Sequence, residues 1–245
     1  MERVEYRCLL PYQFAARFER MPLAYLPVGS LEWHGEHLAL GNDGLKIEEI
    51  CRRAALRGGG IVLPCIYLGI TGMVRWGTAY RLGNRGVFAI EPWLLRHVLE
   101  AQLRCLDVMG FRGAIVITGH DPQEQVMLVK QVAAEFRPTR ALRALGASDL
   151  DLGDEVDHAA KWETSILMAL HPELVDMSRL PANLKQKLEG IGGDDPRTTA
   201  SPEIGRRAVE GMVRELCTLG RRLMKRRPQS RADNRRPAKG SRRRG

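Results

Sequence analysis

Short apolar runs, each closed by glycine and separated by helical patterns, constrain this chain more than any other feature. Ala24-Tyr-Leu-Pro-Val28 ends at Gly29, and Phe111-Arg-Gly-Ala-Ile-Val-Ile-Thr118 ends at Gly119. Runs this short, bounded by turn residues, predict buried strands. Between them, Leu45, Ile47, Ile50, Ala54 and Leu56 mark one face of a helix stopped by Gly58-Gly-Gly60, and 60–68 predicts another strand. A helix over 90–109 starts at Glu91-Pro92 and closes at Gly110, one over 123–136 follows, and a weaker strand covers 141–145. Further helices are predicted from about 159 to 170 and from 202 to 224. Residues 1–22 read as a lead-in, and 69–86 (with Trp76-Gly-Thr-Ala-Tyr80), 146–157 and 173–200 as irregular. Strands alternating with helices predict an α/β fold with a mostly parallel central sheet covered on both faces.

With no internal repeat or linker, 1–224 is expected to form one domain, and at 245 residues the chain is long enough to bury a full core. The net charge of +9 suggests nucleic acid until it is located. Residues 225–245 hold ten of the 38 basic residues and one of the 29 acidic ones, leaving 28 of each in 1–224. The body is neutral, and the excess sits in an Arg-, Pro-, Ser- and Gly-rich tail that cannot build a core. Such a tail can contact nucleic acid, anionic lipid or an acidic partner, although no aromatic residues interleave for base stacking. A solvated extension is the favoured reading. No apolar run approaches the roughly 20 residues needed to cross a membrane, and the charged start Met1-Glu-Arg-Val-Glu lacks the apolar core of a signal peptide. The five cysteines are scattered and odd in number, as expected of reduced thiols in a cytoplasmic protein, mostly serving as small buried hydrophobes.

The chemistry concentrates where the first strand ends. Leu26-Pro-Val-Gly-Ser-Leu-Glu-Trp-His-Gly-Glu-His-Leu delivers Glu32, His34, Glu36 and His37, with Asp43 six residues beyond His37. Glu32 and His34 leave the same face of an extended segment. His120 and Asp121 follow the strongest strand, and ligands in open parallel sheets bind beyond the carboxyl ends of strands. Asp157-His158-Ala-Ala-Lys-Trp-Glu163 supplies the last group, with Asp157 or His158 at a helix entrance and Glu163 pointing inward from the second turn. At that positive helix end the charged form of His158 is disfavoured, leaving a neutral proton acceptor. Imidazole and carboxylate donors without thiolates suit Zn²⁺ or Mn²⁺ at a catalytic site. Three carboxylates (Glu32, Asp43, Glu163) with neutral His34 and His120 balance two divalent ions plus one hydroxide, the arrangement that acidifies a water for hydrolysis. His97 and His171 read as structural, Trp33 and Trp162 as packing or pocket-lining, and Glu36 and Glu124 as solvated.

These motifs, in this order, resemble the creatininase (creatinine amidohydrolase) family: Leu26 to Leu38 with Asp43, Gly119-His120, and His158-Ala-Ala-Lys-Trp-Glu-Thr-Ser165. The resemblance implies a three-layer α/β/α sandwich, commonly assembled as a homo-oligomer (a hexamer), with two divalent ions per chain: Zn²⁺, Mn²⁺ or both, with Fe²⁺ an alternative. By position, Glu32 and His120 bind one ion, His34 and Glu163 the other, Asp43 bridges them, and His158 carries the proton to the leaving nitrogen. His37 is then expected to orient a ligand. The implied activity is hydrolysis of a non-peptide C–N bond, in an amide, cyclic amide or formamide, of a small molecule. The alternatives are a peptidase trimming a short peptide, as in mycofactocin maturation, and a nucleic-acid- or membrane-associated binder using the tail. The chain departs from the family pattern at Pro122, where creatininase carries glutamate, at Asp154, where it carries tryptophan, and at Leu38-Ala39 in place of Leu-Pro. All five ligand positions are kept while substrate-facing ones differ, which points away from creatinine itself.

Overall fold

A computed structural model describes residues 2–70, 88–153 and 156–225. Trp76, Asp154 and the tail beyond Lys225 lie outside the described residues. Strand β1 (Leu23–Gly29) is central and every residue in it is buried. It pairs in parallel with β6 (Gly113–Thr118) from Leu23↔Gly113 to Val28↔Thr118, and β6 pairs in parallel with β7 (Arg143–Ser148). On its other edge β1 pairs with β2 (Ile61–Val62) and β3 (Ile66–Tyr67), again in parallel. Short β4 (Gly69–Ile70) and β5 (Ala89–Ile90) pair separately. The single strand expected over 60–68 is interrupted because Pro64 cannot donate to a ladder. Its two halves nevertheless both stay on β1.

Strand parity sorts the core into two layers. Leu23, Tyr25, Ile115 and Ile117 face one cluster with Ile47, Ile50, Met212 and Leu216. These come from α2 (Asn42–Gly58) and, at the far end of the chain, α6 (Pro202–Lys225). Helix α5 (Lys161–Leu170) packs with both through Ile166. Ala24, Leu26, Val28, Ala114 and Val116 face the opposite cluster, filled by Leu95, Leu99 and Leu103 of α3 (Pro92–Met109) and Val129 of α4 (Gln123–Glu135). The chain is a three-layer α/β/α sandwich with a mostly parallel central sheet, as expected.

Three details depart from the sequence reading. Residues 11–20 form helix α1 (Pro11–Arg20), not a lead-in: Pro11 opens it, and Phe14 and Phe18 pack on Phe111, with Phe18 4.9 Å from that ring. Strand β7 runs on to Ser148 through Gly146-Ala-Ser, residues of weak strand preference. Gly146 is required there, since a Cβ would overlap the Lys130 backbone of α4. Cys8 and Cys105 are exposed, so only Cys51 and Cys217 act as fully buried hydrophobes. Among the described residues no helix is long and apolar enough to cross a membrane.

Candidate metal centre

The site lies beyond the carboxyl ends of β1, β6 and β7. The end of β1 and the start of α2 touch backbone to backbone, since a Cβ at Gly29 would overlap Gly44. Gly119, at the end of β6, lies equally close to the Asp43 carbonyl. These two close approaches bring Asp43, in the first turn of α2, beside His120.

The 30–41 loop is pinned rather than free. Glu32 N–H donates to Leu40 O at 2.9 Å, and Asp176 N–H to His37 O at 2.9 Å. His37 Nε2 donates to Thr164 Oγ1 at 2.8 Å, and that hydroxyl donates to Ala159 O. Burial, then the positive His34 ring, pushes His37 down to about 4, so it stays neutral. It holds the loop against α5, bonded to Thr164 next to Glu163 and, among the described residues, to no candidate ligand directly. Glu36 is exposed.

Glu32, His34, Asp43, His120 and Glu163 are all nearly inaccessible to solvent. Two groups of their donor atoms share Asp43, Glu32/Asp43/His120 and His34/Asp43/Glu163, and a third joins Glu32 and His34 with His158; within each the atoms lie no more than 4.8 Å apart. Asp43 serves the first two: Oδ1 is 2.9 Å from His34 Nε2, and Oδ2 is 2.9 Å from His120 Nδ1. Ser30 Oγ donates to Oδ2 at 2.7 Å. His34 Nδ1 donates to Glu32 O at 3.2 Å, which leaves Nε2 as the atom aimed at the carboxylates. Glu163 Oε2 lies 3.4 Å from that nitrogen, and Glu32 Oε1 lies 3.4 Å from both His34 Nε2 and His120 Nδ1.

This cluster fits cations. Burial opposes charge on His34, but Asp43, Glu163 and Glu32 overcome it and push its pKa up to about 10. Against the same opposition, Asp43 and Glu32 push His120 up to about 9. Burial likewise opposes ionisation of Asp43, yet both histidines hold its carboxyl well below the usual range. Three carboxylates in a closed pocket thus draw positive charge onto their imidazoles. Among the described residues, Glu32 Oε2, His34 Nε2 and His120 Nε2 are moreover buried without a hydrogen-bond partner, a costly condition that a bound cation would relieve where it met such an atom.

His158 sits at the rim, its side chain one-third exposed. Its ring centroid is 4.5 Å from that of His34, and Nδ1 is 3.8 Å from Glu32 Oε1. Of the two residues expected at the helix entrance, it is Asp157 that caps α5, accepting from Trp162 N at 2.8 Å and Glu163 N at 3.1 Å. The helix begins at Lys161, so Glu163 is in its first turn rather than its second. His158 is instead held by paired backbone bonds with Gly192, at 3.1 and 2.8 Å. Of the remaining candidates, Asp121 joins none of these groups; burial and the negative charge of Asp149 push it up to about 10. His97 packs against Trp93, His171 lies 3.4 Å from Glu173, and Trp162 packs on the core.

Sequence reasoning missed Lys46, Asp149, Ser30 and Thr164. Lys46 is 1% exposed, with Nζ 2.7 Å from Asp149 Oδ2 and 2.8 Å from Glu163 Oε1. Burial works against the ammonium, but Asp149 and then Glu163 hold it charged. Its spacing was the available signal, because Lys46 follows Asp43 by three residues and so shares its helical face. Asp149 follows β7 directly, at the sheet edge where a site is expected.

The chain is similar to known proteins along most of its length. The family model of creatininase, creatinine amidohydrolase, matches residues 11–219. The chain is 25% identical over 229 residues to a creatinine amidohydrolase from Pseudomonas putida, covering 80% of this chain and 85% of that one. It is 27% identical over 213 residues to a mycofactocin precursor peptide peptidase from Mycobacterium ulcerans, covering 78% and 82%. A creatininase crystal structure superposes with a TM-score of 0.72 at 22% identity, covering 91% and 99% of the two chains, and the same fold occurs in Zn–Zn and Mn forms of creatininase. The chain belongs to the creatininase family of metal-dependent amidohydrolases.

Proposed function

We propose that this protein hydrolyses a non-peptide C–N bond, in an amide, cyclic amide or formamide, of a small molecule, using two divalent ions, Zn²⁺, Mn²⁺ or both. The observation that carries the reading is the pair of ligand groups sharing Asp43, with the half-buried His158 at their rim. Glu32 and His120 would hold one cation and His34 and Glu163 the other, with Asp43 common to both groups. Bound there, the ions supply Lewis-acid polarisation of a carbonyl and a water acidic enough to react near neutral pH.

The chain's own residues do the rest. Ser30 and the Glu32 carbonyl fix the orientation of Asp43 and His34, so the ligands need little rearrangement. The backbone pairing with Gly192 fixes where the His158 imidazole stands, in reach of both the ligand cluster and the solvent. From there His158 takes a proton and delivers it to the departing nitrogen, work that typically contributes ~10²- to 10⁴-fold to rate.

The likeness to the mycofactocin peptidase supports a second reading, trimming of a short peptide. Turnover assays of the zinc- and manganese-loaded chain on small amides, lactams and formamides, against a set of short peptides, separate the two. Hydrolysis confined to the peptides would replace the first reading with the second, and hydrolysis of neither would overturn both.

A further inference from the structure

We propose that Lys46 is a positioning residue of the metal centre. Clamped between Asp149 and Glu163, it makes Glu163 a one-oxygen ligand and thereby sets the affinity of the subsite that Glu163 forms with His34 and Asp43. The inference rests on the metal reading above.

A buried lysine is costly to fold, and an apolar side chain of the same length would fill the space without that cost. Here the ammonium is aimed at a ligand instead. Its Nζ lies 2.8 Å from Glu163 Oε1 and 2.7 Å from Asp149 Oδ2. Glu163 Oε2 is turned the other way: it accepts from Ala159 N at 2.7 Å and lies 3.4 Å from His34 Nε2. That N–H is aimed by an unusual backbone, since Ala159 has a φ of 52°. One carboxylate oxygen is therefore committed to the lysine and the other faces the ligand group. Asp43 differs, with one oxygen in each group, and Glu32 Oε2 is buried without a hydrogen-bond partner among the described residues. The two subsites thus differ in how firmly their own glutamate is held. Asp149 completes the device, because its charge offsets that of Lys46. The clamp fixes Glu163 without adding net positive charge beside a cation.

A merely structural Lys46 would serve only to neutralise Asp149, and removing both charges together separates the two roles. Equilibrium dialysis of the full chain against Zn²⁺, with melting followed by circular dichroism, compares wild type with Lys46→Met and with Lys46→Met/Asp149→Asn. In the double variant, folding is expected to recover while one Zn²⁺ binds as in wild type and the second ~10- to 100-fold more weakly. Two wild-type affinities in the folded double variant would overturn the clamp. A wild type that binds no Zn²⁺ would overturn the metal reading, and the clamp with it. A zinc-loaded crystal structure of the wild type tests the same point whatever the variants do. Glu163 bound through Oε2 alone, with Lys46 on Oε1, supports the clamp, and a bidentate Glu163 refutes it.

Discussion

Replacing Asp43 by asparagine tests whether one side chain serves both ligand groups. Asn keeps the shape and an acceptor for Ser30 Oγ but removes the charge shared between His34 and His120, each 2.9 Å away. A ligand that binds only the folded state stabilises it by ~2.7 kcal/mol at a hundredfold excess over its Kd. Two such sites give ~5 kcal/mol. For a domain of this size each kcal/mol raises Tm by ~2–4 °C, so saturating Zn²⁺ is expected to raise the wild-type melt by ~10–20 °C. Glu32→Gln and Glu163→Gln each remove a ligand from one group only and should each keep roughly half of that rise, ~5–10 °C. Asp43→Asn should lose nearly all of it. The readout is the zinc-induced shift within each variant, by calorimetry, so differences between the metal-free proteins do not confound it. An Asp43→Asn protein that keeps the full shift would refute the shared-ligand geometry.

Other consequences can be checked separately. His158→Ala should retain wild-type metal content while turnover falls by ~10²- to 10⁴-fold; retained hydrolysis would remove His158 from the proton transfer. Asp107, at the end of α3, accepts from the N–H groups of Thr139, Arg140 and Leu142 and from the Thr139 hydroxyl. Asp107→Ala should therefore cost ~3 kcal/mol, lowering Tm by ~6–12 °C without altering metal content. Burial opposes its ionisation, yet those donors hold its carboxyl below the usual range, so its contribution is complete above the unfolded value and fades as pH falls through the folded one. The wild-type advantage over Asp107→Ala in urea melts should accordingly shrink only below about pH 4. Gly205→Ala would drive a Cβ into the Ser165 carbonyl where α6 crosses α5, and overpacking of this kind costs ~1–3 kcal/mol. An unchanged melting curve would show that the crossing relaxes freely.

What the sequence revealed and what it hid have physical causes. The strands at 24–28 and 111–118 were legible because a strand buried on both faces must be apolar throughout. The candidate site was legible because Glu32, His34 and Asp43 lie in one short segment, and because three motifs recur in a family order. Helix α1 was hidden since only Phe14 and Phe18 pack against the core, each partly buried, and its most buried residue is the charged Arg17. The Lys46–Asp149 pair was hidden because burial of a charge depends on partners more than 100 residues apart, which no local pattern records. The pairing of His158 with Gly192 was equally non-local, joining the last motif to a segment that carries no regular signal.

Metal stoichiometry is the most direct test of a two-ion centre. The full chain, stripped of metal and reloaded with Zn²⁺ or Mn²⁺, is expected to hold about two equivalents by elemental analysis. Glu32→Gln and Glu163→Gln should each hold about one. A wild type that saturates at a single equivalent, or variants that both still hold two, would contradict a centre built as two ligand groups around Asp43.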